Sequence, residues 1–411
     1  MGKKLELLAP AGDREKFMIA LEYGADAVYF GGGPFSLRAA GDEFSPDDIR
    51  DCVAYAHANG KKAYLTLNVY AHDEDFGPLR AYLESIRGIP VDAFLVSDLG
   101  VLSLIREVLP DARFHASTQA NVTNLRAAKA WADLGAERIV LARELSLEEI
   151  RTIRDGLPDE IELEAFVHGA MCISYSGRCL LSNFMAGRDA NRGLCTHPCR
   201  WKYALVEEKR PGTYYPVEED DRGTYFMNSN DLCMIGHIKD LADAGVTSLK
   251  IEGRMKSMYY VATTVRAYRM AIRDYENGTA RDLTDELSKA SHRRYTTGFY
   301  YGNPGRDDQN YEDSNYIRNY SFVGKVLSYD RETGIAVVQQ RNKIVRGDEV
   351  EIIGPGEVRF RQTIEEMTDP ETGLSLKEAP HPKQLLKIKM KNEVKRDYIL
   401  QKPLNEESDP Q

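Results

Sequence analysis

The sequence predicts a TIM-like (β/α)8 barrel with a Cys-rich insertion, followed by a small all-β C-terminal domain. Three observations lead to this prediction: a repeated helix–glycine–strand unit, short apolar runs between amphipathic stretches, and closely spaced short strands after Tyr320. Alternating strands and helices favour a parallel sheet, and eight such units favour a barrel. An open doubly wound sheet is the alternative, although no GxGxxG motif follows a predicted strand.

The repeated unit gives the barrel strands in order. Each apolar run follows a helix and a glycine, as in EYGADAVYF around Gly24 and DLGAERIVL around Gly135. Glycine adopts the left-handed conformation that ends many helices, and a short apolar run is typical of a strand covered on both faces. The predicted strands are residues 4–8, 27–30, 62–67, 93–96, 113–117, 138–142, 161–167 and 248–252.

Two helix starts are marked by their own residues. Ser45 precedes Pro46, which suits the first position of a helix, and Ser146 is followed three residues later by Glu149, a capping-box pattern. We therefore expect helices to begin at both places.

The pattern divides the chain into four parts. We expect a barrel over residues 1–280 with the insertion at about 170–235, a linker over 281–318, a small β-barrel over 319–402 and a disordered tail over 403–411.

Composition excludes several classes of protein. The 411 residues carry a net charge of -10, and 42% of them are hydrophobic, which is ordinary for a globular protein and excludes a uniformly basic nucleic-acid coat. No apolar run approaches the ~20 residues of a membrane span, and the start of the chain resembles a first strand more than a signal peptide. We expect a cytoplasmic protein without a membrane anchor.

Local basic segments remain possible within this acidic chain. Lysines alternate near the C-terminus at Lys383, Lys387, Lys389 and Lys391. They either contact phosphates or protect an edge strand from aggregation.

Polar residues follow the predicted strands at the end where barrels place their active sites. His168, Glu252 and Arg254 are the stronger candidates among them, and Gln119 and Asn121 follow the fifth strand. Any one of these polar residues can also simply begin a loop.

Five cysteines form the strongest chemical signal. Cys172, Cys179, Cys195, Cys199 and Cys233 are separated by gaps of six, fifteen, three and thirty-three residues. Thiolates bind zinc and iron–sulfur clusters, and the wide spacing favours an iron–sulfur cluster over a zinc site with two close pairs. Five buried cysteines without a ligand are the remaining alternative. Nearby basic residues, Arg178 among them, would suit an anionic cluster or substrate.

Common hydrolase templates are absent from the sequence. There is no HExxH, GxSxG or GxxxxGK[ST] motif. A Cys/His hydrolase stays conceivable because His168 lies four residues before Cys172.

Several longer motifs resemble one family throughout the chain. The segment from Glu164 to Cys172, the following GRCLLS segment, the opening LELLAPAG, and the later NSNDLC and SLKIEGRMKS are similar to the collagenase-like peptidase family U-32. The family name implies proteolysis, but the resemblance also implies RNA modification or hydroxylation without molecular oxygen. One branch takes part in prephenate-dependent 5-hydroxylation of the wobble uridine of tRNA, and another hydroxylates rRNA cytidine.

The resemblance also implies a cofactor and a site. A third branch carries a 4Fe-4S cluster on four cysteines, which correspond here to Cys172, Cys179, Cys195 and Cys233, with Cys199 as the alternate to Cys195. The candidate catalytic residues are Glu164, His168, Arg178, Glu252 and Arg254, and the candidate substrate-binding residues are Gln119, Asn121, Asn228 and Asp231.

The expected function is hydroxylation of tRNA at the anticodon loop, with prephenate as co-substrate, and a partner or paralogous subunit is also expected. A peptidase and a non-catalytic RNA-binding factor are the alternatives, and zinc is the alternative metal.

Overall fold

The computed structural model describes most of the chain. It covers residues 4–36, 44–171, 181–188, 195–196, 198, 205–206, 214–215, 219–220, 223–224, 228–302, 309–310 and 316–404. The predicted tail beyond residue 404 lies outside these residues.

Eight parallel strands close into a barrel. The first seven are β1 (Glu6–Ala11), β2 (Ala27–Gly31), β3 (Lys62–Leu67), β4 (Ala93–Val96), β5 (Phe114–Ala116), β6 (Arg138–Val140) and β7 (Glu162–Ala170). The insertion contains β8 (Leu205–Val206), β9 (Tyr214–Tyr215), β10 (Glu219–Asp220), β11 (Gly223–Thr224), β12 (Asn228–Ser229) and β13 (Asp231–Cys233), and the eighth barrel strand is β14 (Ser248–Ile251). Because β14 pairs with both β1 and β7, the barrel prediction is confirmed and the open-sheet alternative is wrong.

Helices follow the barrel strands and cover them. They are α1 (Arg14–Glu22), α2 (Pro46–Ala58), α3 (Phe76–Ser85), α4 (Leu99–Val108), α5 (Leu125–Asp133), α6 (Leu147–Gly156), α7 (Leu181–Ala186), α8 (Ile238–Asp243), α9 (Met258–Glu276) and α10 (Thr284–Ser288). Ser146 forms the predicted capping box with Glu149. Ser45 caps the other predicted helix start, with Pro46 at its first position, and it also forms a capping box with Asp48. The glycines that precede β2 and β6, Gly24 and Gly135, have positive φ as the repeated unit predicts.

A short sheet extension departs from the barrel at the end of β7. β13 runs antiparallel to β7, pairing Cys233 with His168 and Asp231 with Ala170. Strand β15 (Tyr295–Thr296) then pairs with β13 in parallel. The segment 281–318, expected to be a linker, thus contributes α10, β15 and β16 (Gln309–Asn310), and β15 joins the barrel sheet.

The C-terminal domain is an antiparallel sheet with its own core. Its strands are β17 (Tyr320–Asp330), β18 (Ile335–Gln340), β19 (Ile344–Val345), β20 (Glu349–Ile353), β21 (Arg359–Thr363), β22 (Met367–Thr368), β23 (Ser375–Leu376), β24 (Glu378–Ala379), β25 (Leu385–Lys389) and β26 (Ile399–Pro403). Eight of them form one sheet in the order β21-β20-β26-β17-β18-β25-β22-β23. β25 lies between β18 and β22, so Lys387 and Lys389 are not on an edge strand and that explanation for them is wrong.

Buried polar contacts join this domain to α9 and to the end of α10. Lys289 donates to Glu351 at 2.9 Å, and Arg266 donates to the carbonyl oxygen of Gly354 at 3.0 Å. Burial alone would raise the pKa of Glu351, but its hydrogen bonds to cations lower it to about 2. The ring of Tyr259 stacks on that of Phe322 at 5.4 Å. Because one end of α9 begins beside the barrel rim, the C-terminal domain braces the helix that covers the candidate site.

Candidate active site at the carboxyl rim of the barrel

The loop after β14, residues 252–257, is seated tightly on the barrel rim. A Cβ on Gly12 would lie 2.1 Å from the carbonyl oxygen of Arg254, and a Cβ on Gly169 would lie 2.7 Å from that of Glu252. Gly169 also has a φ of +114°, a conformation that L side chains rarely adopt. Only glycine at these two positions allows the loop to lie this close to the ends of β1 and β7.

Two of the predicted residues on this loop point across the rim. Arg254 is buried and donates to Thr66 at 2.9 Å and to Ser36 at 2.5 Å, so it spans from β14 to β3. Glu252 accepts a hydrogen bond from Tyr29 at 3.2 Å. The loop therefore brings a guanidinium and a carboxylate to the same end of the barrel.

The sheet extension places four reactive side chains on one face. Directly paired residues of neighbouring strands point to the same side of a sheet. The pairings of β13 therefore put His168, Asp231, Cys233 and Tyr295 on a common face. The ring of His168 lies 5.5 Å from Tyr268, 5.7 Å from Tyr295 and 5.9 Å from Tyr260. His292 stacks on Tyr295 with ring centres 4.7 Å apart. We call His168, Asp231, Cys233, Tyr260, Tyr268, His292 and Tyr295 the rim cluster.

Both histidines of the rim cluster are neutral near pH 7. Burial lowers the pKa of His168 to about 3, and the positive charge of Lys256 acts in the same direction while Asp231 opposes it. Burial also lowers the pKa of His292, whose Nδ1 lies 2.9 Å from the carbonyl oxygen of Ala290. A neutral imidazole can accept or donate a hydrogen bond without carrying charge into the site.

Two polar atoms in the rim cluster have no hydrogen-bond partner in the part of the chain that the structure describes. Asp231 is 2% exposed; its Oδ2 accepts from the backbone of Arg293 at 3.1 Å, while Oδ1 has no hydrogen-bond partner among the described residues. The hydroxyl of Tyr295 is likewise buried without such a partner in the described part of the chain. Buried polar groups are nearly always satisfied, so these atoms mark a place where a ligand can bind.

The candidates after β5 lie on the same rim. Gln119 is buried in a short 3-10 helix, Thr118–Ala120, and its Oε1 has no hydrogen-bond partner among the described residues. Asn121 ends that helix in the left-handed conformation, with a φ of 56°. No hydrogen bond among the described residues links either of them to the rim cluster.

Glu164 lies inside the barrel, toward the amino end of β7. It is fully buried, accepts from Lys250 at 2.7 Å and from Arg138 at 3.0 Å, and pairs in the sheet with the first residue of β14. Arg138 also binds Glu6 and Glu162. We call these five residues the interior ion network. The structure does not bring Glu164 to the rim with His168, Glu252 and Arg254.

The predicted cysteine ligands are described only in part. Cys233 is half-buried with its Sγ 4.0 Å from the hydroxyl of Tyr268, and Cys195 is half-buried in the insertion. Cys172, Cys179, Cys199 and the catalytic candidate Arg178 lie outside the described residues, as does the side chain of Asn228. Among the described residues, no group of three His, Cys, Asp or Glu side chains is placed to bind a metal ion.

Sequence reasoning missed several residues of the rim. Tyr260 and Tyr268 belong to α9, Lys256 lies on the loop before it, and His292 and Tyr295 fall in the expected linker, so none of them is among the sequence candidates. The signal that could have found the last two is the run His292-Arg293-Arg294-Tyr295, in which charged and aromatic residues are concentrated outside any amphipathic pattern.

Comparison with family models covers most of the chain. Residues 12–310 match the model of peptidase family U32, and residues 318–401 match that of the peptidase family U32 C-terminal domain.

None of the described helices is both long and apolar enough to cross a membrane.

Curated relatives match over nearly their whole length. The tRNA hydroxylation protein P1 of Bacillus subtilis is 41% identical over 405 residues, which cover 97% of this chain and 95% of the relative. The tRNA hydroxylation protein P of Escherichia coli is 39% identical, with 89% of both chains covered. A collagenase of Porphyromonas gingivalis is 32% identical, with 88% of this chain and 89% of the relative covered.

Proposed function

The chain belongs to peptidase family U32, and we propose that within this family it takes part in hydroxylation of tRNA, at position 5 of the wobble uridine. The observation that carries this proposal is the 41% identity to a tRNA hydroxylation protein over 95% of that relative's length. At that coverage the alignment includes both the barrel and the C-terminal domain, so the two proteins are similar over both domains.

The chemistry of the rim supports a flipped base as substrate. Uracil presents one N–H donor between two carbonyl acceptors, and enzymes read such edges in pockets lined by aromatic rings. Asp231 supplies a carboxylate oxygen that has no hydrogen bond to any described residue, and His168 lies among three tyrosine rings. In this proposal Asp231 accepts the uracil N–H, while the neutral His168 and its neighbouring rings exclude water from the base.

An iron–sulfur cofactor is part of the proposal. The available donors are thiols, which suit a 4Fe-4S cluster, and Cys233 lies on the same sheet face as His168 and Asp231. We propose Cys172, Cys179, Cys195 and Cys233 as its ligands, with Cys199 as the alternate to Cys195 and zinc as the alternative metal. Such a cluster would supply electron transfer beside the base.

An anionic co-substrate would find a cation at the rim. Prephenate carries two carboxylates, and Arg254 is a buried guanidinium near the ends of β2 and β3. Guanidinium groups bind carboxylates with two parallel hydrogen bonds. We therefore propose Arg254 as the residue that holds such a co-substrate.

The test is nucleoside mass spectrometry of tRNA. A bacterial strain shown to lack 5-hydroxyuridine derivatives is complemented with the wild-type gene or with Cys233→Ala. We expect the wild type to restore these nucleosides and the variant to restore less than about a tenth as much. Wild-type protein that is expressed and folded but restores none would contradict the proposal. A wild type that binds tRNA without changing its nucleosides would instead indicate a non-catalytic RNA-binding factor.

Proteolysis is the second candidate, and the collagenase relative is the observation that favours it. The predicted nucleophile Cys172 lies outside the described residues, and burial keeps the pKa of its predicted partner His168 at about 3. An imidazole that holds a proton so weakly is a poor base for a thiol. Cleavage of gelatin by the wild type, lost in Cys172→Ala, would support proteolysis instead.

A further inference from the structure

A lysine beside the rim cluster has no role in the proposed chemistry. Lys256 follows Arg254 on the loop after β14, and its side chain is half-buried. Its Nζ lies 4.2 Å from the centre of the Tyr316 ring and 5.3 Å from that of Tyr260. The two rings hold the ammonium in place by cation–π attraction, on a loop that the adjacent glycines already fix.

This ammonium has no anionic partner within the described part of the chain. Within the described residues Lys256 makes no ion pair with any carboxylate, whereas the buried Lys250 and Lys289 each bind at least one glutamate. A partly desolvated cation is costly unless an anion compensates it, and cation–π contacts offset only part of that cost.

A second cation lies beside this ammonium. Arg293 lies over the same Tyr316 ring, at 4.8 Å, and places a second positive charge nearby. Asp231 is the buried carboxylate beside them, and its Oδ1 lies 4.0 Å from Nη1 of Arg293. Among the described residues, the cationic side chains of Lys256 and Arg293 thus both lie over the Tyr316 ring, next to the proposed base pocket.

We infer that Lys256 binds a phosphodiester group of the RNA next to the flipped nucleotide. This inference rests on the proposed function. A flipped base swings about its own backbone, so one phosphate must lie at the edge of the pocket that receives the base. Lysine is a common partner for phosphate, and two tyrosine rings beside it suit the sugar and base of the same nucleotide. A carboxylate of a small co-substrate is the competing occupant.

Salt dependence distinguishes these occupants. The dissociation constant of full-length protein for a transcribed tRNA with uridine at the wobble position is measured from about 0.05 to 0.3 M salt. Each phosphate contact contributes about 0.7 to 0.9 to the slope of log Kd against log salt. We expect Lys256→Gln to bind several-fold more weakly at low salt and to lose about one unit of slope. Lys256→Arg should keep the wild-type slope.

A matched control comes from the opposite end of the barrel. Lys62 is an exposed lysine on β3, and Lys62→Gln should leave the slope unchanged. An unchanged salt slope in a folded Lys256→Gln protein would overturn the inference while leaving the proposed function intact. The same conclusion would follow if Lys256→Gln lost only the binding of a small dicarboxylate. If the wild type itself bound no tRNA, the proposed function and this inference would both fail.

Discussion

The interior ion network and the rim cluster lie at opposite ends of the barrel and differ in how their buried polar groups are paired. In the interior ion network, Arg138 is bound to Glu6, Glu162 and Glu164, and Lys250 completes the set. In the rim cluster, Asp231 and Tyr295 keep polar atoms without hydrogen bonds among the described residues. Satisfied charges stabilise one arrangement, whereas unsatisfied polar atoms leave room for a ligand. Charge inside a barrel strand is therefore not by itself a sign of catalysis.

The largest expected effect comes from removing Arg138. Arg138→Met leaves three carboxylates without their guanidinium, and breaking a buried ion pair costs about 3–5 kcal/mol. Urea denaturation should show this loss in the free energy of unfolding. Arg113→Met is the control at the same end, because its ion pair with Glu137 is exposed and should contribute less than about 1 kcal/mol. Equal losses in the two variants would show that the interior network is not special.

A smaller effect is expected from crowding the rim backbone. In Gly169→Ala the new Cβ would clash with the carbonyl of Glu252 at an already strained φ, so we expect a loss of about 1–3 kcal/mol together with lost hydroxylation. Gly88→Ala is the matched control, since Gly88 also has positive φ but open space around it. Thermal unfolding and tRNA nucleoside analysis measure both consequences. If Gly169→Ala behaved like Gly88→Ala, the loop would not be seated as described.

The buried His115 on β5 should account for part of the loss of folding stability at low pH. Burial, assisted by the charge of Arg138, holds the pKa of His115 well below its ordinary value. The unfolded chain binds a proton there below about pH 6.5 and the folded chain does not, so stability falls as pH falls through that value. We expect His115→Phe to reduce this slope by up to about 1.4 kcal/mol per pH unit. Denaturation at several values between pH 7 and 5 tests it, and an unaltered slope would contradict this assignment.

The smallest effect on stability is expected at the rim. Asp231→Asn keeps the shape and the acceptor for the backbone N–H of Arg293. It removes a charge that lies 4.0 Å from Nη1 of Arg293, a longer contact than the 2.5–3.0 Å of the Arg138 ion pairs. Because that contact is long and the hydrogen bond stays, we expect the free energy of unfolding to change by less than about 1 kcal/mol. If the free energy of unfolding fell as much as in Arg138→Met, Asp231 would be a charge that stabilises the fold and not one kept for a ligand.

The repeated unit was enough to predict the barrel. All eight strands lie where the apolar runs put them, for example 27–31 against a predicted 27–30. The sheet extension was not predictable, because β13 and β15 have three and two residues and no periodicity of their own. They exist only through pairing with β7.

The sequence could supply candidate side chains but not their partners. Glu164 resembles a catalytic carboxylate in an apolar strand, yet the residues that neutralise it lie 26 and 86 positions away. Asp231 was chosen from a motif, and its position opposite Ala170 became visible only with the fold. Distances between remote segments decide which charges are satisfied.

The most direct test compares hydroxylation by variants of the two regions. tRNA from a strain without 5-hydroxyuridine derivatives is analysed after complementation with the wild type, Asp231→Asn or His115→Phe. We predict that the wild type and His115→Phe restore these nucleosides, while a folded Asp231→Asn protein restores less than about a tenth of the wild-type level. Full restoration by Asp231→Asn would contradict the assignment of the rim as the reactive site.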